Sequence, residues 1–314
     1  MSDNIPLEIQ MEIMQRLPVN SLLQFRTISK TWKSFIDGKK FLVSYGVRST
    51  QPSHFLVSYE LGTGEVVRNY ICFVDDNYSF TQVQQFPPSF QHLRYTDMNS
   101  LYCTLNVISS SHSIWCFISY KFATLWNPSI RKSVGVVVPY DPSKACIEKI
   151  AFGYSVHPKT LDPTIIRISY SESREGLWTV YLFTLISGYW KTLPPTHLPR
   201  ALIRLKWSSQ IAIGCFIYWA AYERIVCADG VSNKTYMIVS FDLNTQIFQL
   251  IDLPNSLRVQ LPKPVYICKL GESLVIYGLN IGDLNDFFIV WVMEVKRGSI
   301  TNLKGYLILK PFIV

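Results

Sequence analysis

Side chains that usually build active sites are scarce and scattered in this 314-residue sequence. Its five histidines, His54, His92, His112, His157 and His197, stand far apart, and its seven cysteines, at positions 72, 103, 116, 146, 215, 227 and 268, include no C-x-x-C pair. A structural zinc site and a disulfide framework therefore lose support. Neighbours such as those in Ile71-Cys72-Phe73 and Gly214-Cys215-Phe216 are apolar, which reads as buried free thiols in a reducing compartment. The sequons Asn77-Tyr78-Ser79 and Asn233-Lys234-Thr235 then carry no meaning. Phosphate-binding, dinucleotide-binding, zincin and nucleophile-elbow motifs are all missing. Ser109 to His112 is a poor nucleophile-and-base candidate because adjacent residues of a strand point apart, and Asp75-Asp76 or Asp283 with Asp286 read as loop solvation. No catalytic residue, metal site or cofactor is expected.

Charge is also sparse: Asp, Glu, Lys and Arg make up 17% of the chain. The net charge of +8 invites a nucleic-acid partner, yet the cations come singly or in pairs such as Lys39-Lys40 and Arg131-Lys132, with no basic run to concentrate them. A generally basic surface and no nucleic-acid partner is the expectation. Asp3 and Glu8 with no long apolar core argue against a signal peptide, and the longest apolar run, Ile211 to Ala221, is too short to cross a bilayer. That run is expected to be one buried strand, and the protein to sit in cytoplasm or nucleus without a membrane partner.

What is abundant is apolar and aromatic. Hydrophobic residues reach 48%, and Tyr and Phe occur 18 times each, enough for a sizeable core and biased towards pleated strands. Only the first forty residues break this pattern. Ile9, Ile13 and Leu17 recur at four-residue steps, Pro6 suits a first helical turn, and Glu8 favours the positive end of the helix dipole. Pro18 ends that helix. Asn20 or Ser21 is expected to cap a second helix carrying Leu22, Leu23, Phe25 and Arg26, and Ser29 a third carrying Trp32, Phe35 and Ile36, with Gly38 closing it in a left-handed conformation. Helices this short cannot bury all their apolar residues among themselves, since roughly 40 residues is near the lower limit of an unaided fold.

These residues resemble the F-box, the docking motif of substrate adaptors in SCF-type cullin–RING ubiquitin ligases. Pro6, Leu7, Ile9, Ile13, Leu17-Pro18-Val19, Ser21-Leu22-Leu23, Phe25-Arg26 and Ser29-Lys30 followed by Trp32 stand in the family's order, with Ile5 and Met14 as volume-conserving departures. The resemblance implies that a Skp-type adaptor subunit is bound through Pro6, Leu7, Ile9, Ile13, Leu17, Pro18, Leu22, Leu23 and Trp32.

Beyond a linker-like stretch, short strands take over: His54 to Tyr59, Val66 to Val74, Leu101 to Ile108, Ile114 to Ile118, Ala123 to Trp126, Ile165 to Tyr170 and Leu274 to Tyr277. Polar turns recur at Thr63, Ser129, Ser187 and Thr245, at intervals of 66, 58 and 58 residues, and the later ones lead to Val138-Pro139, Leu193-Pro194-Pro195 and Leu253-Pro254. About four strands per repeat is the content of a propeller blade. Leu125-Trp126-Asn127-Pro128-Ser129, Phe152-Gly153-Tyr154 followed by Asp162-Pro163, the segment from Tyr181 to Pro195 with Trp190, Gly214 to Tyr222, and Phe241-Asp242-Leu243 through Leu253-Pro254 resemble the F-box-associated domain of plant F-box proteins. That family is β-propeller-like and kelch-related; Ser155 stands where it often has Asp.

The expected architecture is a mainly β chain with a small all-α N-terminal domain: a three-helix F-box at 1–43, a linker at 44–53 and a β-propeller-like domain at 54–314. The expected function is that of a non-catalytic substrate adaptor, with a kelch-related oxidase or glycosidase and a basic nucleic-acid-binding protein as alternatives. A substrate protein is expected at the long loops Asp75 to Met98, Tyr140 to Lys149, Arg224 to Thr235 and Gly278 to Asp286, with Tyr78, Phe80 and Tyr95 as aromatic anchors.

Overall fold

A computed structural model describes residues 5–38, 40–41, 44–45, 53–61, 67–76, 79–83, 106–119, 121–141, 148–171, 177–200, 202–226, 232–255, 257, 265–280, 287–296 and 299–309. Three N-terminal helices precede a mainly β, propeller-like succession of sheets. The chain divides into two compact units, residues 1–138 with 159–161 and residues 139–158 with 162–314.

The helices are α1 (Leu7–Arg16), α2 (Val19–Ile28) and α3 (Lys30–Ile36). Prolines start the first two: Pro6 and Pro18 are the N-cap residues of α1 and α2, and Asn20 and Ser21 lie inside α2 instead of capping it. Proline serves here because its fixed φ is extended enough to enter a helix and its missing N–H would be unpaired anyway. Ser29 does cap α3, accepting from the Trp32 N–H at 3.4 Å. Gly38 is not left-handed; a Cβ there would come within 2.9 Å of the Phe35 carbonyl oxygen, so close approach explains the glycine. Helical structure continues at Lys40, Phe41, Ser44 and Tyr45.

Met14, Leu22, Ile36 and Phe41 form the core of this region, with Leu17, Phe25, Trp32, Phe35 and Tyr45 packed against it. Tyr45 donates to the Leu17 carbonyl at 2.7 Å and stacks on Phe41, so the helical cluster reaches past residue 43. Arg26 and Asp37 tie the end of α2 to the end of α3 by a two-pronged pair at 2.6 and 2.9 Å.

The β region holds nineteen described strands. The first three, β1 (Ser53–Leu61), β2 (Val67–Asp76) and β3 (Ser79–Val83), make a three-stranded antiparallel sheet in chain order. Four four-stranded sheets follow, each a meander in chain order: β4 (Asn106–Ser111) to β7 (Lys132–Val137), β8 (Glu148–Val156) to β11 (Trp190–Thr192), β12 (Ile203–Ile213) to β15 (Ile247–Asp252), and β16 (Val265–Leu270) to β19 (Ser299–Leu309). Their second and third strands are β5 (Ile114–Ile118) with β6 (Phe122–Asn127), β9 (Pro163–Ser171) with β10 (Thr179–Thr184), β13 (Phe216–Val226) with β14 (Ser232–Asp242), and β17 (Ser273–Asn280) with β18 (Phe287–Lys296).

The run from Ile211 to Ala221 is not one strand. Gly214 and Cys215 fold it into a hairpin between β12 and β13, with φ of 56° at Gly214. Both halves are apolar because β12 and β13 lie between packed neighbours.

Three of the four recurring turns, those at Ser129, Ser187 and Thr245, occupy one structural place, the connection from third to fourth strand. Asn127, Thr184 and Asp242 end the third strands, and their side chains accept the backbone N–H of Ser129 at 3.0 Å, Ser187 at 3.3 Å and Asn244 at 2.8 Å. Arg131, Gly188 and Gln246 then take positive φ before the fourth strand. On this alignment Ser129 stands one residue ahead of Ser187 and Thr245. Thr63 lies outside the described residues. One residue beyond each of these fourth strands stands a buried side chain, Val138, Leu193 or Leu253, and then a proline that cannot continue a ladder.

Within the second unit the first strands β8, β12 and β16 are neighbours across sheets. One core cluster, including Ile166, Ile168, Trp178, Leu205, Trp219 and Val239, joins the β8–β11 and β12–β15 sheets. A second, with Tyr218, Ile238, Ile267, Leu274 and Ile276, joins the β12–β15 and β16–β19 sheets. At the first boundary the Trp219 indole donates to the Phe152 carbonyl at 2.8 Å and lies where a Cβ on Gly153 would be, 2.4 Å from its ring.

Gly153→Ala therefore forces the ring or the strand aside and should lower unfolding free energy by about 1–3 kcal/mol, as overpacking does. Chemical denaturation of the intact chain checks this, and an unchanged midpoint would refute the close approach. A second expectation concerns pH. The Arg26 guanidinium, chiefly through its hydrogen bonds, holds the Asp37 carboxyl below its ordinary range. A depressed carboxyl adds stability that is present above the unfolded-state pKa and lost as pH falls through the folded-state value. Acid titration of helical circular dichroism should thus show a step below about pH 4 that Asp37→Asn removes.

Candidate functional site

The helical region leaves several large apolar side chains at its surface. On α1 the inward row is Gln10, Met14 and Leu17, spaced four and three residues apart; the adjacent row, Ile9 and Ile13, lies outside it. Leu7, Ile9 and Ile13 are 50%, 51% and 48% exposed, and Leu23 on α2 is 40% exposed. Pro6 and Pro18 are exposed as well. One face of a short helix has been given to the internal core and a second apolar row has no place in it.

Of the residues expected to dock an adaptor, Leu22 is otherwise placed. It is 3% exposed at the centre of the helical core and cannot contribute surface without unfolding it. Leu17 and Trp32 are half-buried against the same core. The Trp32 ring meets Phe25 edge-on at 5.0 Å and its indole N–H donates to Gln10 Oε1 at 3.3 Å, while Gln10 Nε2 donates to the Ile5 carbonyl at 2.7 Å. These contacts fix α3 and the entry of α1 against each other, and Arg26–Asp37 fixes the far end of α2. Ile5, part of the F-box resemblance but not of the expected docking set, is 44% exposed, and Ile28, which sequence reasoning did not single out, is 69% exposed at the end of α2. Burial, unlike periodicity, separates the two rows of α1.

The expected substrate anchors fare differently. Tyr78 and Tyr95 lie outside the described residues, and Phe80 is on strand β3, paired with Asp75, instead of on a loop. The stretch from Asp75 to Met98 thus contains the end of β2 and all of β3. Likewise Arg224 to Thr235 is mostly strand, since β13 runs to Val226 and β14 begins at Ser232. Gly278 to Asn280 completes β17.

Among the described residues no three His, Cys, Asp or Glu side chains come together as a metal-binding group. Cys116, Cys215 and Cys268 are free thiols; burial pushes the Cys116 thiol far up, leaving it inert, whereas Cys268 is exposed and departs from the expected burial. Ser111 Oγ and His112 Nδ1 meet at 3.0 Å on the exposed two-residue turn between β4 and β5, where His112 and Ser113 both have positive φ. No helix among the described residues is long and apolar enough to cross a membrane.

Comparison with known proteins finds two families along the chain. The sequence profile of the F-box domain matches residues 2–44, and that of the F-box associated beta propeller domain matches residues 68–297. The Arabidopsis thaliana F-box protein At1g30790 is 32% identical over 145 residues, 45% of this chain and 35% of that protein. A second Arabidopsis thaliana sequence, named for F-box protein At1g47730, is 23% identical over 283 residues, 81% of this chain and 60% of its own length. Protein SUPPRESSOR OF NIM1 1 of Arabidopsis thaliana is 27% identical over 133 residues, 41% of this chain and 33% of that one. The chain thus spans between a third and three fifths of the length of these relatives. Among solved structures, the Malassezia sympodialis allergen Mala s 1 aligns with a TM-score of 0.30 at 12% identity, over 64% of this chain and 78% of that one, too loosely to carry an argument. With the second profile covering most of its length, the chain belongs to the F-box proteins that carry an F-box-associated β-propeller domain.

Proposed function

We propose that this protein is the substrate-recognition adaptor of an SCF-type cullin–RING ubiquitin ligase, docking a Skp-type adaptor subunit through its helices and holding a target protein on its β region. The observation that carries the reading is the set of large apolar side chains, Leu7, Ile9, Ile13 and Leu23, left exposed on a helical region that has a core of its own. Its role is non-catalytic. A bound target lysine is kept near the ubiquitin-charged enzyme, so effective concentration raises the rate without a chemical group from this chain entering the reaction. Such a role places the protein in cytoplasm or nucleus and asks for neither cofactor nor metal.

The positions of the side chains decide which variants test docking. Leu17, Leu22 and Trp32 also hold the helical core, so changing them confounds folding with binding. Ile9 and Ile13 touch that core little. Fully burying such a side chain contributes roughly 1.5–3 kcal/mol, so Ile9→Asp or Ile13→Asp should weaken binding to a Skp-type subunit at least tenfold while leaving thermal unfolding unchanged. Calorimetric titration of the intact chain with the purified subunit measures this; wild-type affinity in both variants would sink the assignment.

A further inference from the structure

The outer edge of the β12–β15 sheet is left open. Leu243, one residue past β14, donates its N–H to the Cys215 carbonyl at 2.9 Å, so odd-numbered residues of β14 turn their backbone groups to β13 and even-numbered ones to β15. The bonded pairs between β14 and β15 are therefore Asp242 with Ile247, Ser240 with Gln249 and Ile238 with Ile251. Phe248, Leu250 and Asp252 point their backbone groups out of the sheet. Among the described residues nothing donates to or accepts from those groups of Phe248 and Leu250.

The other outer strands are blunted. β7 carries Gly135 within it, β11 is three residues long and runs into Pro194 and Pro195, and the pairing of β19 with β18 slips between Glu294 and Val295. By contrast β15 has six residues, pairs without a slip and contains no proline, glycine or lysine. An edge of this kind recruits another strand.

The sequence of β15 is complementary to itself. Laid antiparallel to a second copy about Gln249, Phe248 of each falls opposite Leu250 of the other, so both sets of outward groups meet in two pairs that exchange N–H···O bonds. On the opposite face Ile247, 38% exposed, meets the half-buried Ile251 of the second copy, and Gln249 meets Gln249. Asp252, exposed, falls opposite Gln246, whose side-chain amide accepts from the Lys191 ammonium at 2.8 Å. A carboxylate of each copy thus comes beside an ammonium of the other. Sliding the pair by two residues either way sets Phe248 opposite Asp252, or Leu250 opposite Gln246, and parts the isoleucines.

We propose that this edge binds a second copy of the chain, β15 against β15 across a two-fold axis at Gln249, joining two four-stranded sheets into one. The inference goes beyond the adaptor reading and does not depend on it. A strand from another protein could supply backbone bonds, but the second copy also brings the isoleucines and the charge that this register matches. One six-residue edge makes a small interface, so the dimer is weak and forms with concentration. It would carry two β regions on one particle, and a partner engaged by both would be held by avidity.

Sedimentation velocity of the intact chain, from about 1 µM to about 200 µM, tests it over the range where small interfaces assemble. Wild-type protein should pass from monomer to dimer. Like charges directly opposite destabilise a strand pair and unlike charges stabilise it, so Gln249→Lys alone and Gln249→Glu alone should each stay monomeric while an equal mixture of the two dimerises. Gln249 is exposed, and both variants should unfold at the wild-type temperature. Ile9→Asp, on the helical region, should dimerise as wild type does. A wild-type chain that stays monomeric, a dimer that survives in both Gln249 variants, a mixture that fails to restore it, or a dimer lost in Ile9→Asp would each overturn the proposal.

Discussion

Each four-stranded meander begins with a strand that has a partner on one side only, so alternate backbone N–H and C=O groups face out of the sheet with nothing from their own sheet to meet. Left buried, each such group costs about 1–3 kcal/mol. The second unit answers this with side chains from the neighbouring sheet. Gln210 presents its amide to β8 as a strand would, accepting from the Tyr154 N–H at 3.1 Å and donating to the Tyr154 carbonyl at 3.2 Å. Trp219 reaches the Phe152 carbonyl two residues earlier. In return the Tyr170 hydroxyl both donates to the Leu205 carbonyl and accepts from the Leu205 N–H, each at 3.1 Å, and the Trp178 indole reaches the Ile203 carbonyl on β12. Exposed edges invite pairing with other chains; clamped ones do not.

The helical region has the opposite difficulty. Its backbone is satisfied within the helices, and the surplus is apolar. Ten-residue helices offer one face each to a shared core, and Met14, Leu22, Ile36 and Phe41 fill it. Ile9 and Ile13 are left at the surface by helix geometry, since a residue one step from the inward row is turned about a hundred degrees away from it. The polar ties Trp32–Gln10, Tyr45–Leu17 and Arg26–Asp37 hold the helices so that this row stays on one presented face. A docking surface held in place before binding loses less entropy when it binds.

Helix order, strand content and the recurring third-to-fourth turn were legible in the sequence because they rest on local signals: proline and serine at helix starts, alternation, and an Asn, Thr or Asp closing a strand. Errors fell where the deciding contact is distant or a single residue resets the pattern. Gly214 is itself a turn signal inside the apolar run, passed over in favour of one strand, whereas nothing local shows that Leu22 and Leu23, adjacent in sequence, divide between core and surface. Asn20 and Ser21 have the right chemistry for a cap, but Pro18 already ends the extended segment, so the helix begins before them. Loops were overestimated for a related reason. Arg224 to Thr235 is polar enough to read as a loop, yet its cations rest on tyrosine rings within paired strands.

The repeat visible in the sequence and the contacts that hold the sheets together lie at different places, and this bears on how such a domain can change. Turns between third and fourth strands recur because each repeats one local problem, closing an outer hairpin. The contacts between first strands do not recur: a glutamine amide and an indole clamp β8, a tyrosine hydroxyl and another indole clamp β12, and at the β12–β16 boundary a lysine ammonium lies on a tyrosine ring. Any pair of groups that satisfies the exposed backbone or fills the gap will serve there, so composition at these boundaries is free to vary while the sheets stay the same. The outer turns thus specify the fold, and the boundaries between first strands can differ in charge and shape from one such protein to another.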